Sequence, residues 1–229
     1  MRLNKAKKYY FFLGFVFGFH YICERKRKSM EKKLFFAMLL AMTFVLSATA
    51  QDAVSVIRKH YTEAQQKIEA IEKEEIPQEY YEVKIMQNLP GTGPHQEVMR
   101  LYYNVNDNED WQPDEPMLTR DLHFVTWKYN YAARQFYEEY LYDEKGNIEF
   151  VYNRNDDLDE VGGELRLYFK DGKLFKVLVS NRNPETEQYV QTYTGSKMPE
   201  KYARALEGIN YKVGRWKRLF NELDGDTFH

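Results

Sequence analysis

The hydrophobic pattern of this chain changes its period twice, and that change limits the possible folds more than any other feature. Apolar residues recur every three or four positions over residues 54–71 and again over 202–223. This spacing matches the turn of a helix and predicts an amphipathic α-helix in each segment. In between, apolar and polar residues alternate, for example over 81–85, 99–105 and 123–131, which is typical of β-strands. The predicted order is therefore helix, sheet, helix.

Residues suited to helix ends flank both helical segments. Asp52 has a short side chain that can accept hydrogen bonds from the free amides of a first turn, and Pro77 is expected to stop the first helix. Ser196 and Pro199 precede the second helix, and Gly225 is expected to close it.

Glycines in turn sequences divide the middle of the chain into hairpins. Asp171-Gly172 is a two-residue turn of a kind that needs positive φ, and Gly146 takes the left-handed position in a loop over 143–147. Residues 91–94 lack the third glycine and the following helix of a dinucleotide site, so they are interpreted as another hairpin loop. The fold class is α+β: a single domain with an N-terminal amphipathic helix, an antiparallel β-meander of about eight strands forming a curved sheet or half-barrel, and a C-terminal amphipathic helix.

Strand pairing about Gly146 predicts which side chains share a face. Tyr142 falls opposite Ile148, and Tyr140 falls opposite Phe150. Because side chains alternate between faces, six of them are expected to form one core face. These are Phe136, Tyr140, Tyr142, Ile148, Phe150 and Tyr152.

Strand pairing about Asp171-Gly172 gives a hairpin with no polar face. Phe169 falls opposite Leu174, and Leu165 falls opposite Leu178. The other face is expected to carry Tyr168, Phe175, Val177 and Val179. A sheet wetted on one side alternates between apolar and polar residues. We therefore expect both sides of this sheet to be covered, by the two helices or by a curling of the sheet on itself.

A second methionine, Met30, starts a segment with the features of a secretory signal peptide. Two lysines follow closely, then an apolar run over 34–46 and small residues at Ala48 and Ala50. A basic start, an apolar helix and small residues before the cleavage point are what the export machinery and signal peptidase recognise. We expect a signal peptide over residues 30–50, cleaved after Ala50, and a single exported α+β domain over 51–229.

Residues 1–29 contain another apolar and aromatic stretch, over 9–23, with basic residues on both sides. This stretch has about 15 residues, whereas a helix needs roughly 20 to cross a bilayer. Two interpretations stay open: an upstream mis-start extension before a true start at Met30, or an extra membrane segment. The pattern favours the mis-start extension.

Removal of the leader changes the charge of the protein. Residues 51–229 keep 23 basic and 33 acidic side chains, a formal charge of −10. Such a charge repels phosphate backbones and anionic membrane surfaces, which argues against nucleic acid as a partner. The one cysteine, Cys23, precedes the apolar run, so the exported part has no disulfide and no cysteine for a lipid. We expect a periplasmic or secreted bacterial protein without a stable membrane anchor after cleavage.

Few residues suggest catalysis. A nucleophile elbow, a zinc-binding His-Glu-x-x-His and a P-loop are all missing. His123 on a strand could act as a base with Glu138 or Glu139, although a half-buried histidine is more often hydrogen-bonded packing. The other histidines of the exported part are scattered: His60 in the first helix, His95 in the 91–94 hairpin loop and His229 at the terminus.

Two acidic segments partly resemble calcium loops. Side-chain oxygens alternate over 153–159 and Glu164 follows, but Leu158 stands where an EF-hand loop needs glycine, and the flanks are strands. The segment 107–115 is acidic but interrupted by Pro113. Both are interpreted as solvated turns. No catalytic residue, metal ligand or cofactor is assigned.

Tyrosine is the most unusual component of the exported part, which contains 16 tyrosines. The side chain is rigid and amphipathic, so it stacks on sugars, acyl chains or peptides while its hydroxyl stays hydrated, and it is also favoured in strands for purely structural reasons. A curved antiparallel sheet closed by helices is similar in shape to several lipid and lipoprotein carriers of the bacterial envelope, with no shared motif.

We therefore expect an exported soluble binding protein that holds an apolar or glycan-like ligand, or a partner protein of the envelope, on a tyrosine-rich sheet. Two alternatives stay open. One is an interaction or inhibitor module that uses acidic loops against a basic partner, and the other is an unrecognised hydrolase.

Overall fold

The computed structural model describes residues 52–107, 118–155 and 163–225. A helix, α1, spans 52–72, and a short 3-10 helix over Glu200–Tyr202 leads into a second helix, α2, over Ala203–Gly225. Eight strands lie between the two helices: β1 Tyr80–Leu89, β2 Gly93–Asp107, β3 Leu118–Tyr131, β4 Arg134–Tyr142, β5 Ile148–Asn155, β6 Gly163–Lys170, β7 Lys173–Arg182 and β8 Tyr189–Gly195.

The strands form one antiparallel sheet in which their spatial order is their order in the chain. The sheet is open, with β1 and β8 at its edges. The predicted turn residues adopt positive φ, at 51° for Asp171, 70° for Gly172 and 71° for Gly146, so two of its hairpins close where the sequence placed them. The α+β prediction of a helix, an eight-stranded meander and a second helix is confirmed.

The first helix covers one face of the sheet, called here the α1 face. Its buried side chains recur with the helical period and pack on rings and aliphatic groups from the middle strands. This cluster contains Val54, Ile57, Ala64, Ile68, Ile71, Tyr102, Phe124, Leu141, Phe150, Tyr168 and Leu178.

The second helix covers the opposite face, called the α2 face. It buries Ile209, Trp216 and Phe220 in a larger cluster. The sheet contributes Met99, Leu101, Leu122, Val125, Trp127, Tyr140, Tyr142, Ile148, Val151, Leu165, Leu167, Phe169, Val177 and Val179. Both faces of the β6–β7 hairpin are therefore covered, each by one helix, which explains why neither face is polar.

The end of α1 is set by its own backbone and not by Pro77. Glu74 adopts a left-handed conformation with φ of 60°. The amides of Glu74 and Glu75 donate to the carbonyls of Ile71 and Ala70 at 3.0 and 2.9 Å, the pattern of a Schellman end. The helix thus ends five residues before the proline, whose predicted role is wrong.

A β-bulge corrects the predicted faces of the β4–β5 hairpin. Tyr142 does pair with Ile148, but the register then shifts by one residue, so Tyr140 pairs with Val151 and Leu141 with Phe150. An extra residue in one strand turns all later side chains to the other face. Tyr140 consequently lies on the α2 face and Phe150 on the α1 face. The predicted grouping of these two rings is wrong.

A second bulge corrects the β6–β7 hairpin in the same way. Phe169 pairs with Leu174 as predicted, whereas Leu165 pairs with Val179 and not with Leu178. Val177 and Val179 therefore lie on the α2 face, away from Tyr168, with which they were predicted to share a face.

Candidate functional site

A cleft opens on the α1 face, between the first turns of α1 and the last four strands. Its volume is about 470 Å³, within the range of small-molecule sites. Four aromatic rings, two aliphatic side chains and three polar residues line it: Tyr61, Phe150, Tyr152, Tyr168, Ile57, Leu178, Arg58, Arg166 and Gln191.

The aromatic lining is held in place by ring contacts. The rings of Tyr61 and Phe150 meet edge to face with centroids 5.0 Å apart, and Phe150 lies 5.1 Å from Tyr168. Such geometry is favourable for aromatic pairs, and the rings fix one another. The cleft thus has a preformed apolar floor.

A buried glutamate fixes the orientation of Tyr61. Glu139, from β4, is only 4% exposed. It accepts hydrogen bonds from the hydroxyls of Tyr61 and Tyr137, each at 2.7 Å, and from the side-chain amide of Gln65 at 3.2 Å. Burial raises the pKa of Glu139, and burial together with this carboxylate raises the pKa of both tyrosines. The phenols therefore stay protonated and act as donors.

A second carboxylate fixes Tyr152 and Arg166. One oxygen of Glu164 accepts a hydrogen bond from the hydroxyl of Tyr152 at 2.6 Å. The other oxygen forms an ion pair with a guanidinium nitrogen of Arg166, also at 2.6 Å. The guanidinium of Arg166 also lies over the Tyr152 ring, 5.5 Å from its centroid. One edge of Arg166 is thus engaged, and its other N–H groups stay available.

Three polar groups of the lining have no internal partner. Within the described part of the chain, neither the guanidinium of Arg58, the hydroxyl of Tyr168 nor the side-chain amide of Gln191 has a hydrogen bond or ion pair. Tyr168 is the most informative because the residue as a whole is only 3% exposed, whereas its hydroxyl is not among the fully buried polar atoms. The ring is therefore fixed in the floor of the cleft, and the hydroxyl is accessible to a ligand there.

The structure does not bring His123 together with either glutamate of the hydrolase hypothesis. His123 is the extra residue of a bulge between β2 and β3. Its ring interacts electrostatically with the side chains of Lys67 and His60 of α1. Burial and these charges lower the pKa of His123. Glu138 and Glu139 lie further along, opposite Trp127 and Thr126.

Glu138 belongs to a separate network on the α2 face. It is fully buried and accepts hydrogen bonds from Lys212 at 2.5 Å, from Tyr129 at 3.2 Å and from Tyr140. The ammonium of Lys212 also lies 4.8 Å from the centroid of the Trp127 ring. Lys212 links this glutamate to α2, and the two tyrosines link it to β3 and β4, so the network joins the helix to the sheet and Glu138 has a structural role.

Two further histidines of the described residues, His95 and His60, are not part of the cleft lining. His95 lies in β2, not in the hairpin loop where it was predicted. One ring nitrogen is 2.8 Å from Glu97 and the other 2.5 Å from the carbonyl of Asn130. His60 of α1 is 2.9 Å from Glu149.

The acidic segments give no metal site among the described residues. Asn153 pairs with Leu165 and its neighbour Arg154 with Glu164, so Asn153 and Glu164 point to opposite faces and cannot chelate one ion. Residues 108–117 and 156–162, which include most of both acidic segments, lie outside the described residues, as do the predicted signal peptide and His229.

Comparison of the chain with protein-family models, with curated proteins and with solved structures finds no significant match. Among the described helices, none combines the length and apolar character needed to cross a membrane.

The two arginines of the cleft were not predicted from sequence. Arg58 lies on the polar side of an amphipathic helix, where a solvated cation is the ordinary interpretation. Arg166 reaches the cleft through its pairing with Tyr152 across β5 and β6. The abundance of tyrosine was the one signal that pointed to this region.

Proposed function

We propose that this protein is an exported binding protein that holds a small ligand in the cleft between α1 and the sheet. The observation that carries the proposal is the cleft itself: preformed aromatic walls beside polar groups without internal partners. Ligand sites typically combine an apolar lining with a few convergent polar groups. Export rests on the signal-peptide pattern over residues 30–50.

Binding is favoured over hydrolysis because the two carboxylates next to the cleft are already engaged. Glu139 accepts three hydrogen bonds from neutral donors, and Glu164 has a partner on each oxygen. Neither carboxylate is available to activate a water. A hydrogen-bonded second layer that orients the lining residues suits a preorganised binding site.

Native mass spectrometry of the protein isolated from its own host tests this proposal. We expect a co-purifying small molecule that is released on denaturation. Gln191→Trp should abolish it, because an indole on exposed β8 would fill the cleft without disturbing the core. Val190→Trp is the matched control, since Val190 is 51% exposed on the opposite face of the same strand.

Three results would contradict all or part of the proposal. If both tryptophan variants retain the ligand equally, the ligand binds elsewhere and the cleft is not its binding site. A protein adduct in place of a small molecule would support the interaction module. Recovery of the protein with an intact leader from the cytosol would remove the export part.

A further inference from the structure

We infer that the ligand of this cleft is an organic anion with a planar apolar body, whose anionic group is bound at Arg58, Tyr168 and Arg166. This inference rests on the proposed function and names the class of its ligand.

The charge of the lining supports an anion. The lining holds two arginines and no acidic residue, although residues 51–229 carry a formal charge of −10. Glu164 neutralises part of Arg166, but Arg58 has no acidic partner among the described residues. Within the part of the chain that the structure describes, Arg58 therefore leaves one uncompensated positive charge at the cleft.

The free polar groups are mostly hydrogen-bond donors. A guanidinium only donates, a phenol donates one hydrogen bond, and a primary amide donates two and accepts two. Arg58, Tyr168 and Gln191 therefore favour a ligand group rich in acceptors. A carboxylate, sulfonate or phosphate meets this demand, and arginine binds such oxyanions with charge-assisted hydrogen bonds.

The rest of the lining sets the body of the ligand. The rings of Tyr61, Phe150 and Tyr168 follow one another at 5.0 and 5.1 Å, and Ile57 and Leu178 complete the apolar surface. These rings are inclined to one another by 65° and 57°, so they present both faces and edges to the cleft. A planar apolar ring system can pack on such faces and edges, whereas the hydroxyls of a hydrated sugar would need several acceptors.

Matched probes test the two halves of the inference by isothermal titration calorimetry. The probes are 2-naphthoate, the neutral amide 2-naphthamide of the same shape, and glucuronate, which has the carboxylate without the apolar ring. We expect 2-naphthoate to bind at least about tenfold more tightly than 2-naphthamide, since a hydrogen bond to a charged group contributes more than a neutral one. Glucuronate should bind weakest.

Variants locate the anionic group. Arg58→Gln should weaken the binding of 2-naphthoate about tenfold and that of 2-naphthamide by a smaller factor, because a hydrogen bond to a neutral acceptor contributes less than one to a charged acceptor. Tyr168→Phe removes one hydroxyl while the ring stays in place, and should weaken 2-naphthoate by about fivefold. Lys59→Gln is the control, because it removes the same charge from a neighbouring position of α1 that pairs with Glu63 outside the cleft.

The outcomes separate this inference from the proposed function. If 2-naphthoate and 2-naphthamide bind with equal affinity, and both lose binding in Gln191→Trp, the cleft is a binding site but its preference for an anion is wrong. Preferential binding of glucuronate would overturn the planar body. Retention of 2-naphthoate by Gln191→Trp would move its site away from the cleft and overturn the inference. Failure of all three probes to bind at about 1 mM, the weak end of specific affinity, would remove inference and proposed cleft together.

Discussion

Glu138 and Glu139 are neighbours in β4, yet they are buried on opposite faces of the sheet with different partners. Glu138 has a cation, Lys212, at 2.5 Å, and that pair fastens α2. Glu139 is bound by two tyrosine hydroxyls and one amide, all neutral, beneath α1. Because side chains alternate along a strand, adjacent residues lie in separate environments, and this dipeptide has one glutamate on each face of the sheet.

The difference teaches how each face is used. On the α2 face a buried charge is compensated at hydrogen-bond distance, and the aromatic rings around it belong to a filled core. On the α1 face the carboxylates orient tyrosines whose rings also line an open cleft. The α2 face thus has a charge-compensated pair in its core, whereas the α1 face leaves part of its aromatic surface open at the cleft.

The largest effect is expected from removing the cation of the α2 face. Lys212→Met leaves the carboxylate of Glu138 buried without its countercharge, which should lower the free energy of unfolding by about 3 kcal/mol. Urea unfolding followed by tryptophan fluorescence measures this, since Trp216 is fully buried at the same interface.

Lys217→Met is the matched control for this substitution. Lys217 lies on the same helix but donates to the backbone carbonyl of Gly146, at 2.9 Å. It should cost no more than about 1 kcal/mol, the typical value of such a bond. Equal decreases in the free energy of unfolding of the two variants would show that the Glu138–Lys212 ion pair stabilises the fold no more than an ordinary hydrogen bond.

A smaller effect is expected from the corresponding change on the α1 face. Glu139→Gln keeps the shape and the acceptor oxygen, and should change stability by less than about 1 kcal/mol at neutral pH. The sign of this stability change depends on pH. Because burial raises the pKa of Glu139, the folded state holds the proton of this carboxyl to higher pH than the unfolded chain does. The wild type therefore loses stability as the pH rises from the unfolded pKa through the raised one, and the glutamine variant does not.

Unfolding of wild type and Glu139→Gln at about pH 4 and about pH 7.5 checks this difference. The free energy of unfolding of the variant should increase relative to that of the wild type as the pH rises. A gain in the opposite direction, or a neutral-pH loss as large as that of Lys212→Met, would show that Glu139 is stabilised as an anion, and the contrast between the faces would fail.

The sequence predicted the helices, the strands and two turns, because each depends on local periodicity and glycine conformation. It did not predict the bulges. A bulge adds one residue without a reliable local signature, and alternation then assigns every later side chain to the wrong face. The pairing of Tyr140 with Phe150 failed for that reason, and so did the pairing of Leu165 with Leu178.

The candidate site was less predictable than the fold. The tyrosines were identifiable by their number, but which of them share a surface depends on those bulges. Arg58 and Tyr168 line the same cleft only because α1 lies across the sheet at that place. No local pattern encodes where a helix crosses a sheet, so the combination of cation, phenol and aromatic wall follows from the tertiary structure alone.

The smallest effect concerns two histidines, one on each face, whose neighbours shift their pKa values in opposite directions. On the α2 side, the hydrogen bond to Glu97 raises the pKa of His95 above 6.5, so its stabilising contribution is complete below that pH and is lost as the pH rises through the raised value. Under α1, burial and the charges of Lys67 and His60 lower the pKa of His123, so its cost appears as the pH falls below 6.5.

NMR titration of the two ring signals should place the midpoints on either side of 6.5, and the substitutions should respond oppositely to acid. His95→Gln should lose more stability at about pH 5.5 than at about pH 8, whereas His123→Gln should gain on the wild type as the pH falls, each by under about 1 kcal/mol. Midpoints on the same side of 6.5 would show that either the hydrogen bond of Glu97 to His95, or the burial and cationic neighbours of His123, does not act as the structure indicates. The contrast between the faces would then rest on Glu138 and Glu139 alone.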